Sequence, residues 1–249
     1  MLQYRELFKN LTVSDFKNKY QNTALGFAWS LLSPLLLMLV LYFVFRHIFR
    51  MENFEVYLLI GIITWRFFAN GTNSALFSIV GKQNLVTNVY IPRQLITGSS
   101  VASSLISSIL EFLVLLPLAL ILGGQISLSI LLFPVIHLLY AIMICGVGFA
   151  VAALFVRYRD LQHIWEVFLS FGFFVCPIIY SLSWIPDEYM FVYMLNPVTV
   201  VMTVYRDMFL YGTFPEMGHL LFVALAAIVV FAVGYLVFRG FEPRFAEEV

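Results

Sequence analysis

The chain has 249 residues, of which 62% are hydrophobic and 11% charged, and its mean hydropathy is +0.94. Those values lie outside the range of water-soluble domains and mark an integral membrane protein. Fourteen basic residues balance fourteen acidic ones, so no net positive field argues for nucleic acid as a partner.

Residues 1 to 14 set Tyr4, Leu7, Phe8 and Leu11 at helical spacing between Arg5, Glu6, Lys9 and Asn10. That pattern predicts an amphipathic helix lying in the headgroup layer, or one docked on protein at the membrane surface. A break with a new N-cap is expected over Thr12 to Asp15, after which Phe16 and Tyr20 share a face beside Lys17 and Lys19. The interface segment is expected to occupy residues 1–24. The apolar run that follows is too long for a signal-peptide core and has no small-x-small cleavage site after it, so it reads as a retained span.

Stretches of roughly 20 apolar residues, enough to cross a bilayer, occur at Phe27 to Phe45, Val56 to Val80, Ile96 to Leu122, Leu128 to Val156, Ile164 to Tyr180 and Leu220 to Phe238. The expected fold is an all-α membrane protein of six transmembrane helices, five of them within residues 25–180. A further apolar stretch, Met190 to Leu210, is broken by Asn196-Pro197 and carries Arg206 and Asp207. It is expected to form two short helices re-entering the outer leaflet, within an external segment spanning residues 181–218. The sixth span and a tail complete the chain over residues 219–249, with no soluble domain.

An even number of spans puts both termini on one side. If that side is cytoplasmic, the inner segments hold Arg5, Lys9, Lys17, Lys19, Lys82, Arg93, Arg157, Arg159, Arg239 and Arg244, against Arg46, Arg50 and Arg206 outside. This asymmetry predicts that both termini face inward.

No energy-transducing chemistry is encoded. Gly81-Lys82 is followed by Gln83 and lacks the upstream glycine of a phosphate-cradling loop, and no nucleophile elbow, metalloprotease helix or catalytic carboxylate pair is present. Cys145 and Cys176 lie in apolar runs without partners at ligand spacing, so neither a metal site nor a disulfide framework is expected. The chain is read as a non-enzyme without a cofactor of its own. Work done by it must draw energy from another chain.

Two ionisable groups fall deep in the expected bilayer, where charges are costly and are paired or functional. Arg66 and Glu111 stand at depths that agree to within a few ångströms at about 1.5 Å per residue, predicting an ion pair between neighbouring helices. Serines 99, 100, 103, 104, 107 and 108 repeat at spacings of three and four on the third span, a pattern for helix packing or for a polar pore lining. Deep aromatics, among them Tyr42, Phe67, Phe68, Phe168 and Phe171, are packed or lipid-facing residues or else the lining of a conduit, in which flat rings give sugar C–H groups weak, repeated contacts. The sequon matches at Asn10 and Asn70 fall in a cytoplasmic and an intramembrane segment and are chance matches.

The chain resembles the permease subunits of ABC-2 type polysaccharide exporters, which move O-antigen or teichoic acid chains. The resemblance runs through Asp15, Phe16, Lys17, Lys19, Tyr20, Thr23, Leu25-Gly26, Trp29 and Pro34, then Arg157-Tyr158-Arg159-Asp160, then Pro177 to Pro186 with Asn196-Pro197. It implies a type V exporter-like homodimer around a channel, with two copies of an ATP-hydrolysing subunit docked beneath that bind ATP and Mg. It further implies that Lys17, Lys19 and Tyr20 meet the diphosphate of an undecaprenyl-linked glycan at the inner mouth. Lys82, Arg93, Arg157, Tyr158, Arg159 and Asp160 would couple to the ATPase, and Asp187 to Tyr211 would form the outer gate helices. Gln21 stands where relatives often carry another cation. The implied location is the bacterial inner membrane. The competing readings are export of a smaller lipid or drug on the same fold, and a self-standing channel or secondary carrier.

Overall fold

The computed structural model describes residues 2–21, 25–49, 51–88, 91–125 and 127–245, and every regular element among them is helical. Thr23 and Arg50, named above, lie outside the described residues, as do residues 89–90 and the side chain of Arg244.

The first helix, α1 (Leu2–Tyr20), is continuous. The break expected at Thr12 to Asp15 does not occur, because the Thr12 hydroxyl donates back to the Phe8 carbonyl at 2.8 Å instead of capping a new helix. One face of α1, with Leu11 and Thr12 buried, packs along α5 (Gln94–Ile121). Docking on protein is therefore the arrangement seen. The chain then turns at Gly26, whose φ of +51° favours glycine, and enters α2 (Ala28–Phe49).

The centre of the molecule is α3 (Phe54–Leu76), which buries nearly every side chain from Phe54 to Phe68. It is flanked by α2, α5, α6 (Phe133–Arg157) and α9 (Pro197–Arg206), with α7 (Leu161–Val175) joined to it through the Trp165 indole, which donates to Thr72 Oγ1 at 3.2 Å. The short helix α4 (Gln83–Asn88) lies in the connection between α3 and α5. The last helix, α10 (Met217–Phe241), packs on α6 across Gly146 and Gly234. A Cβ added at Gly234 would stand 1.8 Å from the Gly146 carbonyl oxygen, so the two backbones touch. Small residues permit such close approach where lipid gives helices no hydrophobic drive to associate.

Four stretches are long and apolar enough to cross a membrane: α2, α5, Leu128–Arg157 and α10. The other two expected spans, α3 and α7, do not meet that measure as single uninterrupted apolar helices. At 23 residues α3 reaches about 35 Å and has the length, but it carries Glu55 and Arg66 and is enclosed by protein. The fifth span, expected over Ile164 to Tyr180, stops being helical at Val175, because Cys176 adopts an extended ψ of 142°. Its 15 residues reach about 22 Å, short of a hydrocarbon core of about 30 Å. Residues 176–180 continue as irregular backbone with Ile178 and Ile179 buried, and protein donors satisfy the Pro177 and Tyr180 carbonyls.

The break at Asn196-Pro197 falls as expected, between α8 (Asp187–Leu195) and α9. Asn196 Oδ1 accepts from the Val198 amide at 3.1 Å, and Pro197 occupies the first helical position, where its missing N–H costs nothing. The two helices differ in burial. Whereas α9 is buried along most of its length, α8 buries no residue.

Candidate functional site

A cavity of about 210 Å³ opens at the elbow between α1 and α2 and is lined by Lys19, Tyr20, Gly26, Trp29, Ser30, Arg66, Asn70 and Glu111. Two groups of residues singled out separately in the sequence thus meet in one place. The end of α1 lies against α5, where the Tyr20 hydroxyl donates to Ser107 Oγ at 2.9 Å. Arg66 Nη2 stands 3.8 Å from Glu111 Oε1, and Arg66 Nη1 donates to Ser33 Oγ on α2 at 3.0 Å. Glu111 is 4% exposed. Much of the Lys19 side chain is exposed, but burial lowers the pKa of its ammonium, an effect opposed by Glu111 and reinforced by Arg66. Lys17 is exposed and does not line this cavity.

A second cavity, of about 310 Å³, adjoins the first at Lys19 and is lined by Asp15, Asn18, Ser74, Phe77, Ser78, Gly81, Lys82, Ser100 and Ser103. Here Asp15 Oδ2 accepts from Lys82 Nζ at 2.6 Å and from Ser100 Oγ at 2.9 Å. This ion pair changes the reading of Lys82. Its ammonium is committed to α1 within the chain instead of being presented to a cytoplasmic partner. Arg93 is likewise engaged internally, donating to the Glu242 carbonyl and lying 5.9 Å from the Phe245 ring centre, so it clamps the C-terminal turn. By contrast Arg157, Tyr158, Arg159 and Asp160 are all exposed between α6 and α7.

The six serines of α5 are all buried. Ser100 and Ser107 hold α1, and Ser104 Oγ lies 3.4 Å from Ser74 Oγ on α3, so these three tie helices together, while Ser100 and Ser103 also line the second cavity.

The aromatics divide. Phe67 is corrected outright: it is 2% exposed and packs between His137, 4.9 Å away by ring centres, and Tyr140, so it cannot line a channel. Phe68 is also buried, yet it borders an apolar cavity of about 310 Å³ shared with Trp65, Phe168, Phe171 and Gly172. Phe168 and Phe171 are exposed on α7. Half-buried Tyr42 has the Arg46 guanidinium 5.0 Å from its ring centre at the far end of α2.

Sequence reasoning missed Asn70 and Ser30 as cavity residues and the pairing of Asp15 with Lys82. Asn70 carried a readable signal, since it follows Arg66 by one helical turn and must share its face.

Arg206 is buried at the close of α9. Its Nη2 donates to the Pro177 carbonyl at 2.6 Å, and its guanidinium carbon lies 3.5 Å from the centre of the Tyr57 ring. The Tyr57 hydroxyl donates to the Tyr180 carbonyl at 2.7 Å. Helix α9, helix α3 and the irregular segment 176–180 are thereby tied at one point.

The sequence pattern of the ABC-2 type transporter family matches residues 6–210, from α1 into the turn after α9. The chain is 30% identical over its whole length to the O-antigen export system permease protein RfbA of Myxococcus xanthus, covering 97% of that protein. It is 27% identical to a protein of the same name from Klebsiella pneumoniae, over 97% of this chain and 94% of the relative. Identity to the polysialic acid transport protein KpsM of Escherichia coli is 24%, over 93% and 92% of the two chains. The matched region contains both cavities, the exposed α6–α7 loop and helices α8 and α9, and the chain belongs to the ABC-2 type transporter family.

Proposed function

We propose that this multi-pass protein is the permease of an ATP-driven exporter that moves a lipid-linked polysaccharide, of the O-antigen or teichoic acid kind, across the bacterial inner membrane. The observation that carries the reading is the cavity at the α1–α2 elbow, where Lys19, Tyr20 and Arg66 stand together beside an apolar helix face, in a chain whose relatives are named for polysaccharide export. A group with a charged head and an apolar tail suits that combination. Lys17, exposed on the adjoining turn of α1, adds a cation on the approach.

In this reading two copies of the chain pair around the channel. The apolar face of α7, exposed at Ile164, Val167, Phe168, Phe171 and Phe174, supports a partner helix there. The exposed Arg157-Tyr158-Arg159-Asp160 loop faces the cytoplasm with both termini and docks on an ATPase subunit, present in two copies, which binds ATP and Mg. The bundle itself moves the polymer, with α8 and α9 as the outer gate.

Deletion of the gene, followed by extraction of lipid-linked polymer and labelling of surface polymer in intact cells, tests this. Intracellular accumulation with loss of surface polymer, reversed by the wild-type chain, is expected. Unchanged surface polymer in the deletion would overturn the substrate reading.

A further inference from the structure

A third polar cavity, of about 380 Å³, lies at the far end of α2 and is lined by Tyr42, Arg46, Glu52, Asn53, Glu55 and Leu122. Arg46 and Glu52 are exposed and Glu55 is half-buried, and none of the three forms an ion pair among the described residues. Tyr42 stands beside both Arg46 and Glu55, with the guanidinium carbon 5.0 Å from its ring centre. Opposite charges thus face one space without closing on each other. The floor of that space is built. Asn53 is the one non-glycine residue at positive φ among those described, at +52°, and its Nδ2 donates to the Gly123 carbonyl at 3.1 Å. A Cβ at Gly123 would stand 2.8 Å from Asn53 Oδ1, so the turn before α3 and the end of α5 are fitted to one another.

We propose that this cavity seats a zwitterionic headgroup of the surrounding bilayer, one that carries a phosphate and a primary ammonium, as phosphatidylethanolamine does. Arg46 takes the phosphate, and Glu52 and Glu55 take the ammonium. Helix α2 is long and apolar enough to cross a membrane, and its 22 residues reach about 33 Å, so the charges beyond its last turn fall at headgroup depth. Counting back from Arg46, Phe43, Leu39 and Leu36 follow at helical spacing, all exposed, and give an acyl chain an apolar track on the same side. The charges choose among lipids. An anionic headgroup brings its phosphate to two carboxylates with no cation of its own to offset them. A choline headgroup has the positive charge but no N–H for a carboxylate to accept. A primary ammonium donates to both acids while its phosphate pairs with arginine, so every charge around the cavity gains a partner. The site stands apart from the elbow cavity and does not depend on what the protein transports.

The full-length chain is reconstituted in nanodiscs of equal parts phosphatidylethanolamine, phosphatidylcholine and phosphatidylglycerol with matched acyl chains, then released into detergent. Native mass spectrometry counts the lipid that stays bound. The wild type should retain phosphatidylethanolamine over each of the other two by roughly fivefold or more. Glu52→Gln with Glu55→Gln removes the ammonium seat and should bring the ethanolamine and choline lipids to parity. Arg46→Gln should cut retention of the ethanolamine lipid by a similar factor. Asp187→Asn with Glu188→Gln, two exposed acids on α8, should change nothing.

Equal retention of the three lipids by the wild type would make Arg46, Glu52 and Glu55 ordinary surface charges and overturn the proposal. A preference for phosphatidylglycerol would show the phosphate read without the ammonium, which overturns it as well. So would a preference for the ethanolamine lipid that survives loss of both carboxylates in protein of normal thermal melt. Should Arg46→Gln fail to fold, the double glutamine variant, which leaves the guanidinium in place, decides alone.

Discussion

The Arg206 guanidinium carbon lies 3.5 Å from the centre of the Tyr57 ring while the Tyr57 hydroxyl donates to the Tyr180 carbonyl, so one tyrosine carries both the arginine of α9 and the irregular backbone after α7. The two functions of the ring separate by substitution. Tyr57→Phe keeps the stacking surface and loses one buried hydrogen bond, a cost of about 1 kcal/mol. Tyr57→Leu also removes the cation–π contact, worth a further ~2 kcal/mol at a desolvated site. Thermal unfolding in detergent should rank wild type above Phe above Leu. Equal melting of the two variants would show that the stacking contributes nothing.

The Gly146–Gly234 crossing gives a sharper packing test. Gly234→Ala forces Cβ against a carbonyl oxygen of the facing helix, so α6 and α10 must separate, and overpacking of this kind costs about 1–3 kcal/mol. Gly240, on the same helix, has open space where a Cβ would stand. Gly240→Ala should therefore leave the melting temperature unchanged or raise it slightly through helix propensity. Similar losses for both would contradict the close crossing.

Asp15 and Lys82 hold α1 to the connection between α3 and α5 through a partly exposed pair, worth about 1 kcal/mol. Asp15→Asn should speed amide hydrogen exchange in α1 more than in α3, and a charge swap, Asp15→Lys with Lys82→Asp, should restore part of the protection. Exchange in α1 that ignores Asp15→Asn would mean that the pair does not hold the helix.

Lys19 yields a prediction about reactivity. Because burial lowers its pKa, folding favours the neutral amine, and the penalty on the charged form is present at neutral pH and lifts as pH rises through the folded pKa toward 10.5. Glu111 opposes the shift and Arg66 adds to it. At pH 9, amine acylation at Lys19, read by mass spectrometry, should be faster in Glu111→Gln and slower in Arg66→Gln than in wild type. The reverse order would contradict the shared cavity.

What the sequence made legible follows from local chemistry. The Asn196-Pro197 break was readable because proline cannot continue a helix and asparagine caps the next one. Arg66 and Glu111 were matched because rise per residue converts position into depth. Other features needed azimuth, which hydropathy does not supply in a uniformly apolar bundle. Phe67 and Phe171 look alike in sequence, yet one is sealed against His137 and the other is 66% exposed. The meeting of Lys19 with Arg66 depends on how sharply the chain turns at Gly26, and the commitment of Lys82 depends on an acid on a different helix. Thr12 to Asp15 misled for a related reason: polar residues that suit a cap also sit in a helix when Thr12 bonds backward and Asp15 pairs with Lys82 and Ser100.

The most direct test of the permease account is ATP turnover by the purified ATPase partner reconstituted with this chain in liposomes containing lipid-linked polymer. The account predicts polymer-stimulated hydrolysis with polymer transfer across the bilayer, both abolished by Arg157→Ala with Asp160→Ala, exposed changes that keep stability within about 0.5 kcal/mol of wild type. Transfer that persists with the ATPase removed would contradict it.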